Sequence, residues 1–114
     1  MSYTLPDLRS ILVSGSEYKL RYLNTEEVED NYGLCSRIDP KFIAIDPTLQ
    51  GKQLMDTLVH EVIHAVMWER RITHSLTNAI DLEEFVTTHL ATGLVEVLRD
   101  NKKLSSWILE NVHK

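Results

Sequence analysis

The chain is poor in the residues that staple, kink or loosen a polypeptide: one cysteine, three prolines and four glycines among 114 residues. A single cysteine excludes an intrachain disulfide and a cysteine-rich zinc site. With 43% hydrophobic and 25% charged residues, the scarcity of glycine and proline also excludes a collagen-like or disordered chain. Long apolar runs are missing, and the opening MSYTLPDLRS has no basic stretch ahead of an apolar one. Neither a membrane span nor a secretory leader is expected, and the cytoplasm is the default location. Positive charge is scarce as well. Seventeen acidic against twelve basic residues give −5, and basic residues cluster only at Arg70-Arg71 and Lys102-Lys103. Such a surface repels phosphate backbones, so nucleic acid is not an expected partner.

What remains is one compact domain, residues 1–114, because this length leaves no room for two. Residues 1–9 read as a loosely held leader. Ile11-Leu12-Val13, closed by Ser14-Gly15-Ser16, reads as a strand and turn, and residues 18–22 alternate apolar and basic with the period of a half-wet strand. An acidic, turn-rich connection with room for one helical turn follows at residues 24–31. Short strands are expected at residues 33–36 and at residues 42–45, the latter stopped by Asp46-Pro47. Loops this short exclude crossover helices and imply an antiparallel or mixed sheet.

Beyond residue 51 the period becomes helical. Leu54, Leu58, Val62, Ala65, Val66 and Glu69 mark a helix over residues 52–70. After a loop containing His74, Thr77 and Asn78, a second long helix is expected over residues 81–99, its buried stripe made of Val86, Leu90, Leu94, Val97 and Leu98. Residues 100–103 break it, and Ser105 or Ser106 is placed to cap a short final helix carrying Trp107, Ile108 and Val112. The expected class is α+β: a small N-terminal sheet packed on two long helices.

Chemistry concentrates in His60-Glu61-Val62-Ile63-His64, inside the first long helix. Residues four apart project from nearly one side, so both histidines reach one cation, while Glu61, rotated by about 100°, stays free to act on water. Chance alone produces such spacings. Here, however, the motif is flanked by small and apolar residues, where paired polar groups cost desolvation energy unless something satisfies them. Two imidazoles plus a carboxylate make a common catalytic ligand set for one Zn2+, with a position left open.

A third ligand must come from elsewhere, and the candidates are Glu83, Glu84, His74 and His89. Glu83 shares the phase of Val86, Thr87, Leu90 and Leu94 and is the expected ligand; Glu84 lies at the edge of that stripe. Both also sit in a first helical turn, where the dipole favours acids whatever their role. His74, in the loop, is a candidate ligand or transition-state donor as well as an ordinary solvated histidine. His89 reads as structural, and Thr87 as a hydrogen-bond partner for Glu83. Cys35 reads as a small buried hydrophobe. Tyr18, Tyr22 and Tyr32 read as core or cleft walls, and Trp68 as a wall of the metal pocket or as core.

Residues 56–64 followed by Asp81-Leu82-Glu83-Glu84-Phe85-Val86 resemble the gluzincin-type zinc peptidases. More closely, the run resembles small phage and bacterial metallopeptidase-like proteins related to the ImmA/IrrE and SprT-like groups. Residues 32–35 and 43–46 are similar to the strands those proteins place before the metal helix. The resemblance implies a minimal zincin-like fold, with His60 and His64 as ligands, Glu61 as general base and one of Glu83 and Glu84 as third ligand. It also implies extended peptide held along a sheet edge, and the host cytoplasm as location if the chain is phage-encoded. Arg70 stands where a metzincin would carry its third histidine, which disfavours that subgroup; the histidine variant of the SprT-like group stays open through His74 or His89.

The expected activity is therefore zinc-dependent peptide-bond hydrolysis, with Glu61 moving the proton and Tyr32, His74 or an arginine stabilising the oxyanion. Peptide or protein substrate is the expected partner, and a homodimer is one way to supplement so small a binding surface. The alternatives are a non-catalytic, metal-stabilised regulatory or binding module and a structural protein with a vestigial motif.

Overall fold

The computed structural model describes residues 10–75, 79–100 and 102–113, so the expected leader and the loop at Thr77 and Asn78 lie outside the described residues. Strands β1 (Ser10–Val13), β2 (Ser16–Tyr22), β3 (Gly33–Ser36) and β4 (Phe42–Ile45) precede helices α1 (Gly51–Glu69), α2 (Ala79–Asp100) and α3 (Lys102–Val112). Short 3-10 turns at Glu27–Glu29 and Thr73–Ser75 complete the order. The architecture is α+β, sheet first. Among the described residues no helix is long and apolar enough to cross a membrane.

The sheet is mixed, in the order β1-β2-β4-β3. Antiparallel β1 and β2 are joined by Ser14 and Gly15, both at positive φ (48° and 84°), the two-residue turn whose twist matches that of the strands. β2 and β4 run parallel, Leu20 opposite Ile43, and β3 pairs antiparallel with β4 on the outside. No crossover helix is needed, because the connection travels through β3 itself. Asn24 and Glu27 shape its start by a reciprocal cap: each backbone N–H donates to the other's side chain at 2.9 Å.

Period-two alternation sets the core. Val13, Tyr18, Ile43 and Ile45 turn one sheet face onto α1, where Leu54 and Ala65 are buried and Leu58, Val62 and Val66 pack against them. Full burial of each large aliphatic stabilises by about 1.5–3 kcal/mol, so Ile43→Ala at the sheet centre costs about 2–5 kcal/mol. Glu69 ties the end of α1 to the sheet by accepting from Ser16 Oγ, Tyr18 Oη and Lys41 Nζ, each at 2.7 Å. A carboxylate at a helix C-terminus opposes the dipole, and the Lys41 ammonium offsets it. The helix then closes with Arg71 in the left-handed region (φ 63°), Arg71 N–H donating to Trp68 O and Ile72 N–H to Met67 O.

The second long helix differs from expectation in the face it buries. Val86, Leu90, Leu94 and Leu98 are exposed, whereas Glu83, Thr87, Ala91 and Val95 are buried; the Val97 side chain lies outside the described set. Small or hydrogen-bonded residues let α2 approach α1 closely, with Thr87 Oγ1 donating to Met67 Sδ at 3.3 Å rather than to Glu83. The final helix starts at Lys102, ahead of the expected caps, and Ser105 Oγ donates to Leu98 O at 2.7 Å. The side chains of Trp107, Ile108 and Val112 lie outside the described residues.

Candidate metal centre

His60 and His64 stand one turn apart on α1 with their Nε2 atoms 3.1 Å from one another. Glu84, from the first turns of α2, reaches across so that Oε1 lies 2.5 Å from His64 Nε2 and Oε2 3.8 Å from His60 Nε2. One atom from each of the three lies within 4.8 Å of the others. In a tetrahedral zinc site with bonds of about 2.0–2.1 Å, ligand atoms are roughly 3.3 Å apart, which these separations bracket.

Glu83, the expected third ligand, faces the other side of the same ring. Its Oε2 meets His64 Nδ1, Thr73 Oγ1 donates to its Oε1, and Arg37 donates to both oxygens at 2.7 and 2.6 Å. Helix phase is the reason. Glu83 lies on the stripe buried against α1, while Glu84, about 100° further round, sits at the rim from which a side chain can reach over the histidines. Burial alone would raise the Glu83 carboxyl, but the Arg37, Thr73 and His64 hydrogen bonds outweigh it and hold it below the usual carboxylate range.

In the tautomer protonated at Nδ1, toward the Glu83 carboxylate, the lone pair of the His64 ring lies on Nε2, facing His60 and Glu84. Burial first, and then the His64 ring, push His60 below the usual imidazole range, which keeps its lone pair free. Two imidazole nitrogens and a carboxylate oxygen converge on one point, which a bound cation would satisfy. The donor set fits a zinc ion.

Glu61 is buried beside this point without joining the three ligand atoms. Burial, and then the charge of Glu84, raise its carboxyl to about 7; a cation at the histidines would pull it down again. It lines two adjoining cavities. One, of about 330 Å³, runs along Gly33, Leu34 and Cys35 to His60, His64 and Glu84. The other, of about 290 Å³, lies between Tyr32, Asp56, Thr88 and Thr92. Gly33 makes the approach of β3 to α1 possible, since a Cβ there would lie 2.9 Å from Glu61 Oε2 and 2.9 Å from Thr57 Cγ2.

Neither a family model, nor a curated protein, nor a solved structure matches this chain.

His74 packs its ring on Trp68, centroids 4.5 Å apart, and among the described residues it is not part of the wall of either cavity. Arg37 also lies over Trp68, 4.8 Å from the ring centroid, and Trp68 does not line either cavity. His89 is exposed and lies against Phe85. Cys35 packs on the core, its thiol pushed up to about 12 by burial and then by Glu61, and it is not one of the side chains that converge with His60, His64 and Glu84. Tyr18 is core, Tyr22 is exposed, and Tyr32 stands at the cavity rim.

Sequence reasoning missed Arg37, Thr73 and Gly33. Arg37 lies 46 residues from Glu83, and no local pattern announces that pairing. Gly33 carried a usable signal, being a glycine at the start of a strand, which marks a close backbone approach.

Proposed function

We propose that the protein is a zinc-dependent peptidase of the HExxH, gluzincin-like kind, acting on extended polypeptide in the cytoplasm. His60, His64 and Glu84 are its ligands and Glu61 its general base. One observation carries the reading: Glu61 is buried beside three converging metal-ligand atoms, is not one of them, and opens onto the cavity that runs along β3. A purely structural site has no use for a buried carboxyl kept free in this way.

Bound zinc would supply an acidified water and a polarised carbonyl. The chain's own residues do the rest. Glu61 takes the proton from the attacking water as its oxygen bonds to the carbonyl carbon, then gives that proton to the amine as the C–N bond breaks. Glu83, anchored by Arg37 and Thr73, holds the His64 ring so that Nε2 points at the ligand cluster. Tyr32, on the cavity wall beside Glu61, is the side chain we assign to the oxyanion. The outer edge of β3 offers backbone groups to an extended peptide, which would add as a further strand next to α1.

The test is a zinc assay and an anomalous-difference map at the zinc edge, paired with peptide-library cleavage by wild type and Glu61→Gln. Stoichiometric zinc in both proteins, with cleavage lowered at least about 100-fold in the variant, is expected. Absence of zinc binding, or cleavage untouched by the substitution, overturns the proposal. Zinc without cleavage of any peptide favours the metal-stabilised binding module instead.

A further inference from the structure

The smaller of the two cavities beside Glu61, about 290 Å³, is walled by acids and hydroxyls: Asp30, Asp56 and Glu61 with Thr57, Thr88 and Thr92. Among the described residues no lysine or arginine lines it. Two of its carboxyl groups lack donors. Asp56 Oδ1 is shut off from solvent without a hydrogen-bond partner, while its Oδ2 accepts from the exposed Lys52 at 2.9 Å. Glu61 is only 7% exposed, and none of the described residues hydrogen-bonds to it. Buried oxygens left in this state are costly until a donor reaches them. A water could serve one oxygen but would leave the gathered negative charge unbalanced. The carboxylates are also too widely spread to cage a metal ion, since Asp30, Asp56 and Glu61 do not bring their oxygens within 4.8 Å of one another. They suit an organic cation that spreads its donors, as an ammonium does with three N–H groups and a guanidinium with five.

We infer that this cavity receives a lysine or arginine side chain of the bound polypeptide, within two residues of the bond that is cut. The inference rests on the proposed peptidase for that bond. Asn31, Gly33, His60 and Glu61 line this cavity and the larger one alike, so a chain laid along β3 passes their junction and meets both. The larger cavity ends instead at Arg37, whose guanidinium is bound to Glu83. Because the two are chemically unlike, the preference falls at one position beside the bond. A metal ion at the histidines would be offset by Glu84 and Glu61, which leaves Asp30 and Asp56 to attract the cation.

Amide chemical shifts of the full chain, titrated with Nα-acetyl-arginine methylamide and with its uncharged citrulline counterpart, test the cavity without any turnover. The arginine compound is expected to shift Thr88, Ala91 and Thr92 and to bind at least about tenfold more tightly. Asp56→Asn should remove most of that difference, as should Asp30→Asn at an exposed position. Equal binding of the two compounds, shifts confined to other residues, or variants that both keep the full difference overturn the inference. End-blocked peptides that differ only in arginine against citrulline near the cut supply the second arm, with kcat/KM expected to differ at least about tenfold at one position. Cleavage without such a preference overturns the inference and leaves the peptidase standing. Discrimination in binding with no cleavage of any peptide does the reverse: the cavity keeps its cationic side chain and the peptidase falls.

Discussion

His64 Nδ1 meets the buried carboxylate of Glu83, and this contact turns the other nitrogen of the ring toward His60 and Glu84. Adjacent glutamates thus serve opposite sides of one imidazole.

Their roles separate in metal binding. Glu84→Ala removes a ligand and should abolish stoichiometric zinc at micromolar metal. Glu83→Gln, which can still accept from Nδ1, should keep stoichiometric zinc with affinity weakened about 10–100-fold. Competition titration against a chelator measures both. The reverse ranking would return Glu83 to the ligand set.

Arg37 holds Glu83 at the wall of the metal cavity. Arg37→Ala leaves a buried carboxylate short of its strongest partner, and the expected cost is about 1–3 kcal/mol of stability in urea unfolding. Added zinc should recover part of that loss, because a ligand bound only by the native state stabilises it by mass action. A variant as stable as wild type would show that the pair has no structural role.

Gly33→Ala tests how closely the edge strand must approach. The added methyl meets the Glu61 carboxylate and Thr57, and displacing Glu61 should lower kcat at least about tenfold while zinc affinity stays within about threefold. Equal loss of zinc and turnover would mean that the strand, not Glu61, had moved.

The acid limb of stability should depend on Glu69. Hydrogen bonds from Lys41, Tyr18 and Ser16 hold its carboxyl at about 2, below the usual glutamate value of 4.5. A carboxyl depressed in the folded state contributes stability that is complete above the unfolded value and lost as pH falls through the folded one. The gap in urea midpoint between wild type and Glu69→Gln should therefore be largest near pH 7, shrink below about 4.5 and close near 2. A gap independent of pH would assign the effect to packing.

Elements whose periodicity reports a buried face were legible in the sequence. β2, β3, β4 and α1 lie within two residues of where alternation and helical spacing put them, as do His60, Glu61 and His64 on one helix. α2 was placed well along the chain but rotated wrongly. Hydrophobicity marks the face that prefers to leave water, and in α2 the leucines occupy one face while Glu83, Thr87 and Ala91 face α1. A polar inner face has no hydrophobic signature to read. Glu83 does face inward as expected; its partners Arg37 and Thr73 come from other elements and are visible only once the chain is folded.

Glu84 reaches the histidines from a helix that packs chiefly on α1 and whose buried stripe is Glu83, Thr87, Ala91 and Val95. Among the described side chains, two polar residues, one alanine and one valine make up this stripe, against the fully buried Ile43 and Ile45 of the sheet. In amide exchange, α2 should open at a lower free energy than β4 and α1, and zinc should slow that opening selectively. If zinc binds as proposed, its departure would release one helix rather than the whole protein.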